Sequence, residues 1–285
     1  MKRLFALLAA LMLAGGAPLN NAKPDIAVVQ AGVDLMMIVT HPGDEYLYFG
    51  GVLPQYVSEQ GYTAVVVYMT SVDETQRQQA TAALKALGVS EAPVFAGFAN
   101  VYADNTDTIK DWWGEKETIN FLVSVIRQYQ PAVVVSHDLK GEYGDGANML
   151  TAKCVQAAVK YAAESSVDKT SLALYGPWQT FRLFLHLYTK GKASVSLDRT
   201  APVAAFSGRS SVDVETDLYE SFTESARYAL DVGDEVYGRA DYGLVASEPD
   251  ILPLPQNNDF FYGTSHLKLN GPIAHVDKSS SALST

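Results

Sequence analysis

Val33-Asp34-Leu35-Met36-Met37-Ile38-Val39-Thr40 runs directly into His41-Pro42-Gly43-Asp44-Glu45, and this junction decides the fold. The first eight residues form an apolar run of strand length. The next five open a turn and bring an imidazole and two carboxylates. A short apolar run bounded by turn residues reads as a buried strand. Polar groups just past such a strand are where open α/β sheets carry their sites. The pattern recurs once: Ala132-Val133-Val134-Val135 leads into Ser136-His137-Asp138 and then Gly141-Glu142-Tyr143-Gly144-Asp145-Gly146-Ala147-Asn148.

Working outward, residues 63–69 are a β-branched strand candidate. Asp73-Glu74 start a helix to about Leu87, with Ala80, Ala83, Leu84 and Leu87 at helical spacing and Gly88 as its stop. Residues 93–98 read as a third strand. Residues 115–130 read as a helix carrying Ile119, Leu122, Val123 and Ile126, ended by Pro131. Residues 149–164 read as a helix and 180–188 as a strand. Beyond that the expectation is loop over 190–209, helix over 212–230, irregular chain over 231–261 and a polar tail over 275–285. Four to five parallel strands with crossover helices predict an α/β fold with a Rossmann-like open sheet.

The chain has 285 residues, 48% of them hydrophobic, enough to bury a large core. Met1-Lys2-Arg3, the apolar block 4–13 and the small residues that follow read as a signal peptide over 1–22, too short to span a bilayer. The expected division is signal 1–22, one domain over 23–274 and a tail over 275–285, with the mature protein secreted or extracytoplasmic. Removing Lys2 and Arg3 leaves 19 basic against 32 acidic residues, a net charge of -13. Such a surface repels nucleic acid and anionic membranes, so neither is an expected partner. Cys154 is the only cysteine and falls in a helical, apolar stretch, which points to a buried structural thiol.

The two post-strand segments resemble the PIG-L/LmbE family of zinc-dependent N-deacetylases. Its motifs read His-Pro-Asp-Asp-Glu and, approximately, His-Asp-x-x-Gly-Glu-Tyr-Gly-His-x-x-His. The resemblance covers about residues 33–190 and implies a Rossmann-like fold, a zinc cofactor and an N-acetyl sugar or glycoconjugate ligand. In the family, zinc is held by the motif-one histidine, its second aspartate and the last motif-two histidine. Carried over, these positions are His41, Asp44 and Asn148. The base position is Gly43, and the carbonyl-polarising position is Asp145. The resemblance further marks Arg77, Glu142 and Tyr143 as substrate-binding positions.

Three of these residues depart from the family's chemistry. Glycine cannot take a proton, an amide oxygen is a weak neutral ligand for zinc, and an aspartate repels an oxyanion that a histidine would stabilise. The expectation is an impaired or inactive deacetylase-like protein that retains a ligand cleft, with zinc weakly bound or absent. The alternative is a divergent amide hydrolase in which Asp145 joins His41 and Asp44 in a rebuilt metal site. If Gly43 has a positive φ, restoring an aspartate there would be strained. His137 reads as a loop-ordering group or substitute ligand, Arg77 as a substrate contact or solvated helix residue, and His186 as exposed or a satisfied core residue. Trp112, Trp113, Trp178, Tyr237, Tyr242, Phe260, Phe261 and Tyr262 read as loop aromatics, either anchors or sugar-stacking faces.

Overall fold

The computed structural model describes residues 32–191, 194–222, 231–247 and 252–264. The expected signal peptide and polar tail lie outside these residues. Seven strands form one sheet in the order β3-β2-β1-β4-β5-β7-β6. Strands β1 (Val33–Val39), β2 (Ala64–Thr70), β3 (Val94–Phe98), β4 (Pro131–Ser136) and β5 (Arg182–His186) pair in parallel. Every residue of β1, β2, β4 and β5 is buried, as helices on both faces of a parallel sheet require.

The crossover helices follow the sequence signals. Helix α2 (Glu74–Ala86) starts on a capping box formed by Asp73 and Gln76. Helix α4 (Glu115–Tyr129) ends on a left-handed Gln130 just ahead of Pro131, and α5 (Gly146–Ala162) carries the buried Cys154. Shorter helical pieces, α1 (Asp44–Leu47), a π-helical segment (Leu53–Glu59), α3 (Thr106–Trp113) and α6 (Lys169–Tyr175), fill the connections.

From β1 the chain builds outward through β2 and β3, then returns to the other side of β1 for β4 and β5. The switch point therefore lies between β1 and β4, where the polar segments 40–45 and 137–148 emerge together.

The C-terminal third differs from the expectation. Strands β6 (Ser194–Ser196) and β7 (Asp241–Ser247) lie in segments read as loop and as irregular chain, and both pair antiparallel. β7 holds Asp241, Gly243 and Ser247, so its alternation is weak; pairing along β5 imposes the strand. Gly243 is required there, since a Cβ would lie 1.8 Å from the Tyr188 carbonyl oxygen. The observed part of the helix expected over 212–230 is α7 (Ser211–Glu220). The buried Arg182 guanidinium donates to the carbonyls of Pro253, Phe260 and Tyr262 and ties the 252–264 segment to β5. Trp113, Trp178, Tyr242, Phe260 and Phe261 are buried core residues, whereas Trp112 is exposed.

Candidate active site

The segment after β1 is fixed from both sides. The Thr40 carbonyl accepts the Thr70 amide at 3.0 Å and its hydroxyl at 2.9 Å, while the Thr40 amide donates to His137 Nε2 at 2.9 Å. Asp44 folds back onto the turn, its Oδ2 accepting the His41 amide at 2.7 Å and lying 3.3 Å from His41 Nδ1. Burial would raise the Asp44 carboxyl, but His41 outweighs it and holds the pKa below its ordinary value. Glu45 accepts the Tyr68 hydroxyl at 2.6 Å and the Gly43 amide at 2.8 Å, and burial pushes its carboxyl up to about 7 despite both bonds.

Gly43 sits between these groups with φ 104°, a region that L side chains rarely adopt. A Cβ at this position would lie 2.9 Å from Cε2 of Tyr219, a buried ring on α7. The position that the resemblance assigns to the base therefore has a backbone unsuited to a side chain, and an aromatic ring from α7 closes against it.

The segment after β4 builds a buried relay. Glu142 is 1% exposed. Its Oε2 accepts from His137 Nδ1 at 2.7 Å and from Asn148 Nδ2 at 3.1 Å; its Oε1 lies 2.7 Å from His186 Nδ1 and accepts the Asp138 amide at 3.1 Å. Burial raises this carboxyl, yet the two histidines more than offset it and hold it far below the carboxylate range. The other nitrogen of His186, Nε2, is 2.7 Å from the Arg239 carbonyl. Both His186 nitrogens thus face oxygen atoms. For His137 two observations conflict. Burial lowers its pKa, while Glu142 and Asp44 pull it up to about 10. Nε2 also lies 3.5 Å from Asp44 Oδ2, but the Thr40 amide points at it from 2.9 Å and requires a lone pair there, so near neutral pH the ring is neutral with its proton on Nδ1. It then acts on Glu142 through that hydrogen bond, and His41 is what lowers Asp44.

Asp145 caps α5, its Oδ1 accepting the Ala147 amide at 2.7 Å, and it is half-buried. Burial raises its carboxyl, His41 and the Ala147 amide oppose that, and Asp44 adds to the rise. Asn148 follows one helical turn later, 2% exposed. With Nδ2 turned to Glu142, its Oδ1 is buried with no hydrogen-bond donor. At the rim, Tyr143 is 43% exposed with φ 53° and packs against Tyr237 at 4.3 Å between centroids, with Tyr48 at 6.4 Å. Arg77 is half-buried with its guanidinium 4.4 Å above the Phe95 ring, which stacks on Tyr68.

The sequence reading therefore brings His41, Asp44, His137, Glu142, Asp145 and Asn148 together, with Tyr143 at the edge. It missed Tyr219, Arg239 and the place of His186 in the relay. Only His186 had a local signal, a polar residue inside an otherwise apolar strand. A cavity of about 580 Å3 opens beside the relay, lined by Leu187, Tyr188, Ser194, Arg239, Asp241 and Tyr242 among others, and by none of His41, Asp44, Asp145 or Asn148.

The donor set does not fit a three-ligand zinc centre. Of the three positions that the resemblance assigns to zinc, Asn148 offers only a neutral oxygen, which leaves His41 and Asp44, and His137 has both nitrogens engaged. Among the described residues, no group of three or more His, Cys, Asp or Glu side chains is arranged to hold a metal ion.

Comparison with known proteins agrees with this frame. The family described as PIG-L, GlcNAc-PI de-N-acetylase, matches residues 36–159. The 1D-myo-inositol 2-acetamido-2-deoxy-alpha-D-glucopyranoside deacetylases of Mycobacterium tuberculosis and Mycobacterium bovis are 29% identical over 138 residues, which is 39% of this chain. The match spans 45% of the length of those relatives. Among solved structures, the N,N'-diacetylchitobiose deacetylase from Pyrococcus horikoshii superposes with a TM-score of 0.50 at 17% identity, over 74% of this chain and 82% of that one, a likeness of fold. A mainly parallel sheet, the paired segments at its switch point and the match over residues 36–159 together identify a PIG-L domain in this chain, similar to those of the PIG-L/LmbE family.

Proposed function

We propose that this protein is an exported, non-hydrolysing PIG-L protein that retains a cleft for an N-acetyl sugar or glycoconjugate. One observation carries the reading: position 43 has neither a base nor room for one, since its φ is 104° and the Tyr219 ring lies 2.9 Å from where a Cβ would stand. Loss of a general base costs about 10²–10⁴ in rate. Replacing a polarising histidine by Asp145 removes a donor worth about 10²–10³ and puts a negative charge where negative charge would develop. These losses do not add simply, but either one leaves little turnover.

Retention of the cleft is supported by its rim. The rings of Tyr143, Tyr237 and Tyr48 border the site, and aromatic faces suit the apolar faces of sugar rings. The adjoining cavity has the volume expected of a small-molecule pocket. Export rests on residues 1–22, and no helix among the described residues is long and apolar enough to cross a membrane.

The rebuilt metal site is the second reading, favoured by the donorless Asn148 Oδ1 and by the influence of Asp44 and His41 on Asp145. The two readings separate in one assay. Protein dialysed against zinc is given N-acetylglucosamine conjugates while released amine and ligand-induced NMR shifts are followed together. Shifts without amine are expected; steady amine release that Asp145→Ala abolishes would establish the second reading instead.

A further inference from the structure

The side chains at the centre of this site offer acceptors almost exclusively. Glu142 is hydrogen-bonded throughout. That leaves Asp44, with His41 3.3 Å from its Oδ2, and Asp145 as the two remaining carboxylates. Asp145 spends one oxygen on the helix cap, and the half-exposed carboxylate has Oδ2 left to face a ligand. The Asn148 Oδ1 is a third acceptor, buried without a donor, and such an atom is destabilising until a donor reaches it. No side-chain donor replaces the imidazole that the family carries at position 145. Two carboxylates and a buried amide oxygen, in a site whose residues do not make a zinc centre, match a compact cation with several N–H donors.

Resting on the reading of this site as a sugar cleft, we infer that its preferred ligand is the de-N-acetylated, protonated amino sugar. The sugar's ammonium group would lie among Asp145, Asn148 and Asp44. An N-acetyl group offers one N–H and a carbonyl oxygen, and that oxygen would face the Asp145 carboxylate. An ammonium offers three donors and a positive charge, which suit the Asp145 carboxylate and the donorless Asn148 oxygen. The protein would thus hold the product class of a deacetylation, and a separate amide hydrolase must supply it.

The test titrates full-length mature protein, treated with a chelator and dialysed, with methyl glucosaminide, its N-acetyl derivative and methyl glucoside. It is run at about pH 6, where the amine is protonated and exposed carboxylates are ionised. Methyl glucosaminide should bind about tenfold or more tighter than the other two. Asp145→Asn keeps the helix cap, so the protein still folds, and it should bring the amine and N-acetyl sugars to within about threefold. Equal or tighter binding of the N-acetyl sugar would overturn the ammonium inference and leave the sugar cleft standing. Binding of none of the three would overturn both. An amine preference that survives Asp145→Asn unchanged would also defeat the inference, because it would place the ammonium elsewhere.

Discussion

An aspartate placed at position 43 meets two obstacles at once. The backbone there has φ 104°, where a residue with a Cβ carries about 1–3 kcal/mol of strain, and the Cβ would press on the Tyr219 ring at 2.9 Å. Gly43→Asp should therefore destabilise the fold by at least about 1–3 kcal/mol in urea unfolding, without creating a working base. Restoring all three family side chains, Gly43→Asp with Asp145→His and Asn148→His, should still give no deacetylation. Measurable turnover by that triple variant would show that the turn relaxes more readily than its geometry indicates. Asn148→His alone has no such backbone obstacle. It should raise zinc affinity by an order of magnitude or more in a calorimetric titration, with no amine released from N-acetylglucosamine conjugates. Residue identity in the two motifs was legible because each departure falls inside an otherwise intact frame. The positive φ at Gly43 and the ring behind it were not, because Tyr219 arrives from another element far along the chain.

At the scale of elements, the loop after β4 is held by one carboxylate with a histidine on either side. Glu142→Gln puts an amide NH2 where a carboxylate oxygen accepted buried donors, and leaving such a group unpaired costs about 1–3 kcal/mol. Its pH dependence follows from the sign of the shift. The folded pKa of Glu142 lies below the unfolded value of about 4.3, so its contribution is complete above that value and is lost as pH falls toward the folded pKa; Asp44 acts in the same sense. Stability measured by urea unfolding should drop below about pH 4.3, and the drop should be smaller in Glu142→Gln. The neutral His137 ring gives a second check. An imidazolium with pKa about 10 would lend stability that fades from about pH 6.5 upward, whereas a neutral ring predicts a flat profile between about pH 7 and 9 and an Nδ1–H tautomer in ¹⁵N NMR. The sequence announced β1, β2, β4, α2, α4 and α5 because each carries a complete period of its own. β6 and β7 carried none: β6 spans three residues, and β7 contains Gly243 beneath the Tyr188 carbonyl, so partners rather than propensity make them strands.

For the molecule as a whole, Arg182 is the tie between the parallel half of the sheet and the C-terminal segments. Its guanidinium holds three carbonyls of the 252–264 segment from inside β5. Arg182→Ala should lower stability by about 3 kcal/mol and open that segment to limited proteolysis, while Arg182→Lys should rescue only part, since an ammonium cannot reproduce the planar fork. Outside the described residues, N-terminal sequencing of protein from its native host should begin between Ala17 and Lys23; a chain starting at Met1 would remove export from the proposal.

The contribution of Arg239 to the relay also bears on how the protein folds. Its carbonyl closes onto His186 across 53 residues of chain, Arg182 reaches Phe260 across 78, and Tyr219 closes on Gly43 from still further away. The two motifs are synthesised early, but the groups that complete their surroundings leave the ribosome last. Such long loops place this chain among the slower folders of its size, with the open edge of β5 waiting for β7 in the meantime. A nascent chain ending near residue 190 would contain both motifs and an unpaired hydrophobic strand, and would be prone to aggregate rather than to bind anything.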